Sequence, residues 1–226
     1  MGPMPQQDSA EPRLQVVEIF ASIQGESSFA GLPCSFVRLA GCDLRCRWCD
    51  TAWAWSPSAG RSMGIPQVLE ELSVAGLPLV ELTGGEPLQQ QGALPLLEAM
   101  LDQGYRVLLE TSGANDVGPV PAGVHIILDL KAPGSGQVHR MHWDNLAALP
   151  ASAEIKIVLA DRADYDWALA IMERHQLPER WPVLLSPISP GLPAQDLAAW
   201  MVADRTAARL QLQLHKHIWP PELRGV

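Results

Sequence analysis

The sequence lacks the features that mark membrane, secreted and nucleic-acid-binding proteins. No apolar run approaches the ~20 residues that span a bilayer. The first twelve residues have neither the basic nor the apolar stretch of a signal peptide. Four cysteines in 226 residues are too few for a disulfide scaffold. The net charge of −9 disfavours a broad basic surface for nucleic acid. We therefore expect a cytoplasmic protein that binds neither a membrane nor nucleic acid.

What is present is the composition of a folded domain, with 47% hydrophobic and 18% charged residues. No internal repeat and no long Pro/Gly linker divides the chain, and its length favours one domain over two. Residues 1–12 mix Pro, Gln, Asp and Ser without periodicity. We predict a flexible tail at residues 1–12 and a single domain over residues 13–226.

Short apolar runs alternate with helical patterns along this domain. The predicted strands are Ser35–Leu39, Pro78–Leu82, Arg106–Glu110, His125–Leu130, Glu154–Leu159, Pro182–Leu185 and Leu210–His217. The predicted helices are Pro66–Val74, Leu94–Gln103, Asp164–Gln176 and Ala194–Ala203. Such alternation predicts parallel strands with right-handed crossovers. Because about six units fall short of a closed eightfold barrel of ~250 residues, we predict an open, partial α/β barrel of the (β/α)6 type with short helices. Its site should lie at the carboxyl ends of the strands.

Three of the four cysteines follow the first predicted strand. Cys42, Cys46 and Cys49 have the spacing C-x₃-C-x₂-C. A structural zinc site needs four ligands, and no histidine is near in sequence. A [4Fe–4S] cluster has four irons, so three thiolates leave one iron open to a small molecule. The spacing therefore favours a cluster, while Cys34, at the other end of the strand, should point away.

Two alternatives remain open for these cysteines. They could be three metal-free thiols of an intracellular protein. They could also form a zinc site that His215 or His217 completes.

A second motif follows the next predicted strand, where residues 83–87 read TGGEP. Two glycines at a strand end let the backbone approach a ligand closely. Exposed carbonyls there, together with Glu86, could accept hydrogen bonds from an ammonium group. A plain tight turn is the alternative.

The cysteine spacing, Trp48 before the third cysteine and the GGE string together resemble the radical S-adenosylmethionine (SAM) superfamily. The resemblance implies that the open iron binds the amino and carboxylate groups of SAM. It also implies that an electron from the cluster cleaves SAM to a 5′-deoxyadenosyl radical.

Further strings narrow the resemblance to the 7-carboxy-7-deazaguanine synthase (QueE) family. Residues 18–27 read EIFASIQGES, residues 36–42 read FVRLAGC and residues 49–51 read CDT. Weaker similarities continue at residues 109–113, 129–131, 154–156 and 212–216. The resemblance implies ring contraction of 6-carboxy-5,6,7,8-tetrahydropterin to 7-carboxy-7-deazaguanine, with loss of ammonia, in queuosine and 7-deazapurine biosynthesis. SAM would be a regenerated cofactor, and Mg²⁺ would support the rearrangement.

The same resemblance implies a set of binding residues. For SAM they are Trp48, Cys49, Asp50, Gly85, Glu86, Asp129, Leu130, Lys131, Ser186, Pro187, Ile188 and Ser189. For the substrate they are Ile23, Gln24, Gly25, Glu26, Arg38, Thr83, Glu110 and His215. Thr51 would bind Mg²⁺. Relatives often have SPK where this chain has Asp129-Leu130-Lys131, so only the lysine carries over well.

The chain also continues beyond Pro220, whereas some relatives end near such a proline and place their terminal carboxylate in the site. That role would fall here to Val226, to Glu222 or to no residue. The resemblance further implies a flavodoxin or ferredoxin as electron donor. Because an open barrel with few helices leaves apolar surface, we also predict a homodimer.

Side-chain chemistry agrees with a pterin that carries a carboxylate. Arg38 can make a charge-assisted, bidentate contact with a carboxylate, although a strand arginine can also lie on the surface. Gln24 offers an amide to the pterin edge, and Glu26 could bind its guanidine-like side, although either residue could belong to a simple turn. Thr83 and Thr51 could instead cap local structure.

Metal content separates the main hypotheses. A radical SAM enzyme should contain iron and sulfide after anaerobic purification. This holds for a ring-contraction enzyme and also for the alternative enzyme hypothesis, a glycyl-radical activase. A zinc-stabilised binding module should contain zinc alone. We expect iron and sulfide, and zinc without either would contradict both enzyme hypotheses.

Overall fold

A computed structural model describes residues 12–220 and 223–225 of the chain. Its strands are β1 (Arg13–Ile23), β2 (Pro33–Leu39), β3 (Arg61–Gly64), β4 (Leu79–Gly84), β5 (Arg106–Thr111), β6 (His125–Lys131), β7 (Glu154–Leu159), β8 (Val183–Pro187) and β9 (Arg209–Leu210). Its α-helices are α1 (Ile65–Ala75), α2 (Ala93–Asp102), α3 (Asn145–Ala148), α4 (Arg162–Arg174), α5 (Leu177–Arg180), α6 (Ala194–Ala203) and α7 (His215–Ile218). Of the predicted tail, residues 1–11 lie outside the described residues.

The strands of this part of the chain form one sheet in the order β3-β1-β2-β4-β5-β6-β7-β8-β9. From β2 to β9 every neighbouring pair is parallel, and β1 pairs antiparallel with both β2 and β3. The sheet does not close, since β3 and β9 remain its two edges. This confirms the prediction of an open α/β barrel with short helices.

Six of the seven predicted strands and all four predicted helices are present, with ends shifted by at most two residues. The prediction of a strand over Leu210–His217 is wrong. Strand pairing stops after Leu210, and the amide of Leu214 donates instead to the carbonyl of Gly25 at 2.9 Å. The chain then turns into α7, because the amide of Lys216 finds its acceptor at Gln213. Strands β1 and β3 were not predicted.

The two faces of the sheet carry different kinds of side chain, because successive side chains along a strand point to opposite faces. On β6 the outward residues Ile126, Leu128 and Leu130 pack in the main core, beneath the helices. The inward residues begin apolar with Ile127 and become polar towards the carboxyl end. The same change on neighbouring strands leaves a polar chamber at one end of the barrel.

The opposite end of the barrel interior is filled. A small apolar layer there consists of Phe29, Cys34, Phe36, Leu79, Leu108 and Ile127. The loop after β1 closes it, since the amide and hydroxyl of Ser28 donate to the buried carboxylate of Glu154 at 3.0 and 2.5 Å. Cys34 therefore points away from the carboxyl end of the sheet, as predicted.

No helix within residues 12–220 and 223–225 is long and apolar enough to cross a bilayer.

The outer core should dominate stability. Leu109 is fully buried between the sheet and its helices, so Leu109→Ala should lower the free energy of unfolding by about 2–5 kcal/mol. Val74→Ala is the control, because Val74 is 85% exposed and should change it by less than about 0.5 kcal/mol. Denaturant unfolding of the metal-free protein measures both. Equal losses would contradict this assignment of the core.

Candidate active site

A cavity of about 680 Å³ opens at the carboxyl ends of the parallel strands. Its volume lies within the ~300–1,000 Å³ of ordinary small-molecule sites. The three closely spaced cysteines line one wall, and polar ends of β4, β5, β6 and β7 form the floor. The location agrees with the general rule for parallel α/β sheets.

The cysteine loop leaves β2 and folds back on itself. The amide of Cys42 donates to Trp55 at 3.1 Å, and the amide of Cys49 donates to Cys46 at 3.2 Å. Burial raises the pKa of the Cys42 thiol to about 11. Burial also raises the pKa of Cys46, an effect that nearby Lys131 partly offsets. Without metal these thiols hold their protons, so iron binding must release them.

The three cysteines are the metal-ligand candidates of this wall. Their thiols are half-buried and all line the cavity. Three thiolates are the ligand set of a [4Fe–4S] cluster with one iron left open. In the described part of the chain, no three His, Cys, Asp or Glu side chains are already gathered around one point.

The glycine turn after β4 packs directly against the cysteine loop. The amide of Gly85 donates to Leu39, and the amide of Glu86 donates to Gly41, each at 2.8 Å. A Cβ at Gly85 would lie 2.1 Å from the carbonyl oxygen of Gly41. Only glycine permits this approach, so the two motifs form one rigid unit.

The carboxylate of Glu86 is fully buried within this unit. It accepts hydrogen bonds from the Thr111 hydroxyl at 2.8 Å, from the Ser112 amide and hydroxyl at 2.7 and 2.5 Å, and from the Leu88 amide at 3.0 Å. Glu86 thus joins the turn to the end of β5 and does not line the cavity. Its predicted contact with SAM remains a prediction, and the structure favours a role in shaping the turn.

The cavity brings most of the predicted binding residues together. Those that line it are Ile23, Gln24, Gly25, Glu26, Arg38, Cys42, Cys46, Trp48, Cys49, Asp50, Thr51, Thr83, Gly85, Glu110, Asp129, Lys131, Ile188, Ser189 and His215. Those that do not are Glu86, Leu130, Ser186 and Pro187. Leu130 packs in the outer core, so only its backbone is available to a ligand in the cavity.

Arg38 points into the cavity and is not a surface residue. Its Nε donates to Glu18 Oε1 at 2.8 Å, and its guanidinium lies 5.7 Å from the rings of Phe20 and Trp53. Glu18 occupies one edge of the guanidinium. A carboxylate ligand would have to share the remaining donors with this ion pair.

The loop after β1 and helix α7 meet at the cavity lining. A Cβ at Gly25 would lie 2.4 Å from Nδ1 of His215. The imidazole therefore packs directly against the backbone of Gly25, where a larger residue would collide with it. Burial lowers the pKa of His215, which favours a neutral imidazole with one donor and one acceptor. Gln213 Nε2 donates to Glu26 at 2.8 Å and fixes the loop beside it.

Near the cysteine loop, Lys216 of α7 pairs with Asp50 at 2.9 Å. Asp50 is followed by Thr51, whose hydroxyl lies 3.7 Å from the Cys49 sulfur. At the cavity mouth, the guanidinium of Arg224 lies 4.6 Å from the Trp53 ring centre. The predicted alternatives for a terminal carboxylate, Glu222 and Val226, lie outside the described residues.

Sequence reasoning missed two charged residues of the floor. Lys156 on β7 and Glu81 on β4 are buried and line the cavity. Gln24 Nε2 donates to Glu81 Oε2, and burial raises the pKa of Glu81 well above its ordinary value, with nearby Glu110 adding to the effect. Both residues are charged and lie within otherwise apolar predicted strands. Because burying a charge is costly, such a residue indicates a functional or structural role.

Known proteins resemble the chain in sequence and fold. A family profile described as "4Fe-4S single cluster domain" matches residues 29–114. A protein of Chlorobaculum tepidum named 7-carboxy-7-deazaguanine synthase is 47% identical over 221 residues, which cover 96% of this chain and all of that protein.

Solved structures add similarity of fold. QueE from Escherichia coli matches with a TM-score of 0.71 at 24% identity, covering 89% of this chain and 94% of that one. Streptococcus suis SuiB bound to S-adenosylmethionine matches with a TM-score of 0.51 at 12% identity, covering 76% and 47%.

The open parallel sheet, with a three-cysteine loop at its carboxyl edge, defines a radical SAM protein. Within that class, the chain belongs to the 7-carboxy-7-deazaguanine synthase family. The family resemblance of the sequence is thereby confirmed. Membership also sets aside the glycyl-radical activase and the zinc-stabilised module.

The cysteine assignment predicts a clear difference between two variants. Cys46→Ala removes one of three thiolates on the cavity wall, so iron and sulfide in anaerobically reconstituted protein should fall to background. Cys34→Ala is the matched control, because Cys34 lies in the apolar layer at the other end of the barrel. Iron and sulfide analysis measures both. Loss of iron from the Cys34 variant with retention in the Cys46 variant would contradict the assignment.

Proposed function

We propose that this chain is a radical SAM enzyme that converts 6-carboxy-5,6,7,8-tetrahydropterin to 7-carboxy-7-deazaguanine, with loss of ammonia. One observation carries the proposal. The three cysteines and all eight predicted substrate residues line a single cavity, in a chain 47% identical to a protein of that name. The product belongs to queuosine and 7-deazapurine biosynthesis.

Cys42, Cys46 and Cys49 would hold a [4Fe–4S] cluster, and the neighbouring backbone of Gly85 would hold the amino group of SAM. When bound, the cluster supplies the electron that cleaves SAM to a 5′-deoxyadenosyl radical. The protein's own residues provide position and shelter. The rigid contact between the glycine turn and the cysteine loop fixes SAM, and the buried floor excludes water from the reaction.

The substrate would lie between Arg38 and the floor. The remaining donors of the Arg38 guanidinium suit the substrate carboxylate. The carboxylates of Glu26 and Glu110 suit the guanidine-like edge of the pterin, and the Gln24 amide and the neutral His215 ring suit its mixed donors and acceptors. Charge thus orients the substrate from both ends.

Magnesium would bind at Thr51, whose hydroxyl lines the cavity beside the cysteine loop. Mg²⁺ keeps several waters and needs few protein ligands, so one hydroxyl together with substrate oxygens suffices. Asp50 is the less favoured ligand because its carboxylate pairs with Lys216 at 2.9 Å.

A flavodoxin or ferredoxin would donate the electron. Arg45 and Arg47 are exposed on the cysteine loop, and Arg45 is fixed by stacking at 4.7 Å on Trp55. These cations stand out in a chain of net charge −9. An acidic redox protein would dock there by charge complementarity.

Three broader assignments complete the proposal. Residues 13–226 would act as one catalytic domain, supported by the single sheet that runs from Arg13 to Leu210. The enzyme would work in the cytoplasm, where its small-molecule pathway operates. It would form a homodimer through apolar surface that the short helices leave uncovered.

Anaerobic turnover tests the proposal directly. Reconstituted protein with the tetrahydropterin, SAM and dithionite should produce 7-carboxy-7-deazaguanine, detected by its mass. SAM should survive many turnovers. A reconstituted, SAM-cleaving protein that yields no deazaguanine would overturn the assignment of substrate.

Removal of the Arg38 guanidinium should separate substrate binding from SAM chemistry. In Arg38→Ala the substrate KM should rise about tenfold or more, because a charge-assisted contact is lost. Reductive SAM cleavage without substrate should persist. Glu18→Gln is the control, since it retains the guanidinium and should change KM less. Full substrate affinity in Arg38→Ala would contradict this placement.

A further inference from the structure

The three lysines of the sequence all line the cavity. Two have evident local roles, since Lys131 pairs with Asp129 at 2.8 Å and Lys216 pairs with Asp50 at 2.9 Å. The third, Lys156, is the most buried, with its side chain only 5% exposed. No predicted ligand contact involves it. A buried ammonium at this depth therefore needs an explanation.

Lys156 stands at the centre of a group of carboxylates from three other segments. Its Nζ lies 2.6 Å from Glu26 Oε2, 2.5 Å from Glu110 Oε1 and 3.6 Å from Asp129 Oδ2. Asp129 and Lys156 are register partners on adjacent parallel strands, which fixes their separation. Glu26 belongs to the loop after β1, so one ammonium joins that loop to β5 and β6.

Lys156 and two of its acidic neighbours shift one another's pKa values. Burial alone would raise the pKa of Glu26, but Lys156, with help from the hydrogen bond of Gln213, brings it below its ordinary value. Burial works against the charge on Lys156 too, yet Glu110, Glu26 and Asp129 outweigh it and raise the pKa of the lysine. For Glu110, burial outweighs the contact with Lys156 and raises the carboxyl pKa.

The carboxylates around Lys156 can accept further hydrogen bonds. Two ammonium groups, those of Lys156 and Lys131, stand among three carboxylates, so acceptor oxygens remain in excess at the floor. Asp129 Oδ1, for example, is buried without a hydrogen-bond partner in the part of the chain that the structure describes. Buried acceptors of this kind require N–H donors. A planar edge with several N–H groups, such as an aminopyrimidinone, has that chemistry.

We propose that Lys156 is a positioning residue, which holds Glu26 and Glu110 in the geometry that accepts the N–H donors of the pterin's guanidine-like edge. This inference rests on the proposed function and adds to it the residue that organises the acceptors. Lys156 acts through the two carboxylates and need not touch the substrate. Its effect is selection for a ring that carries an amino group.

Ligand discrimination provides the first test, in the reconstituted wild-type enzyme. Pterin-6-carboxylate and lumazine-6-carboxylate differ at the edge in question, because lumazine has a carbonyl where pterin has an amino group. The wild type should bind the pterin at least about tenfold more tightly in an anaerobic titration. Equal affinity in the wild type would overturn the inference, whatever any variant does.

Lys156→Met provides the second test. Its preference for the pterin should fall below about threefold, and the substrate KM should rise about tenfold while iron content and substrate-free SAM cleavage stay near wild type. Lys156→Arg retains a cation and should restore part of the preference. Arg61→Met is the control, since Arg61 forms an exposed ion pair with Glu71 and should change nothing. Wild-type preference and KM in Lys156→Met would overturn the inference.

The pH profile distinguishes this role from a merely structural one. Without the ammonium, burial and mutual repulsion should raise the pKa of Glu26 and Glu110, so kcat/KM should recover only at higher pH than in the wild type. The other groups that face this cluster are Asp50, Glu81, Asp129, Lys131 and His215. They are unchanged in the variant, so an acid limb that stays at its wild-type pH would count against the inference.

The tests also separate this inference from the proposed function. A wild type that makes no deazaguanine refutes the function, whichever ligand it prefers. A wild type that makes deazaguanine, with Lys156→Met unchanged in KM, ligand preference and pH profile, refutes only the role of Lys156.

Discussion

The contact between two backbone segments supports the rest of the site. The glycine turn after β4 lies so close to the cysteine loop that a single methyl group at Gly85 would collide with the carbonyl of Gly41. Two backbone hydrogen bonds and the buried carboxylate of Glu86 hold the turn in place. Because the cysteine loop and the glycine turn share this unit, the separation between the thiols and the backbone of the turn is fixed.

Around this unit, the two-residue period of the strands assigns each side chain to one of two environments. Outward side chains such as Leu109 are apolar and pack in the core, whereas inward ones at the carboxyl ends are polar or charged and line the cavity. The buried charges are tolerated because they are paired, as Lys156 is with Glu26 and Glu110. The cavity therefore has a wall of thiols and a floor that carries carboxylates.

The sequence predicted the fold correctly where a short local pattern is compatible with only one kind of structure. Buried strands, their crossover helices and the three-cysteine loop follow from local composition and spacing. The segment after Leu210 shows the limit. Its alternation fits a strand, and the amide of Gln211 still donates to Leu185 of β8, but the amides of Leu214 and Lys216 donate to Gly25 and Gln213. No local pattern specifies such partners.

The candidate site shows the same limit. The GGE motif marks Glu86 but does not reveal that its carboxylate accepts hydrogen bonds from Thr111 and Ser112, some 25 residues away in sequence. Lys156 was noted only within the string at residues 154–156, and its place in the site was missed because its partners come from three separate segments. A charged residue within an apolar strand is the signal that indicates it.

The central claim is that three thiolates hold a cluster with one iron left free for SAM. Electron paramagnetic resonance of the reduced, reconstituted protein tests it most directly. We expect a [4Fe–4S]⁺ signal whose g-values shift when SAM is added. A signal identical with and without saturating SAM would contradict it.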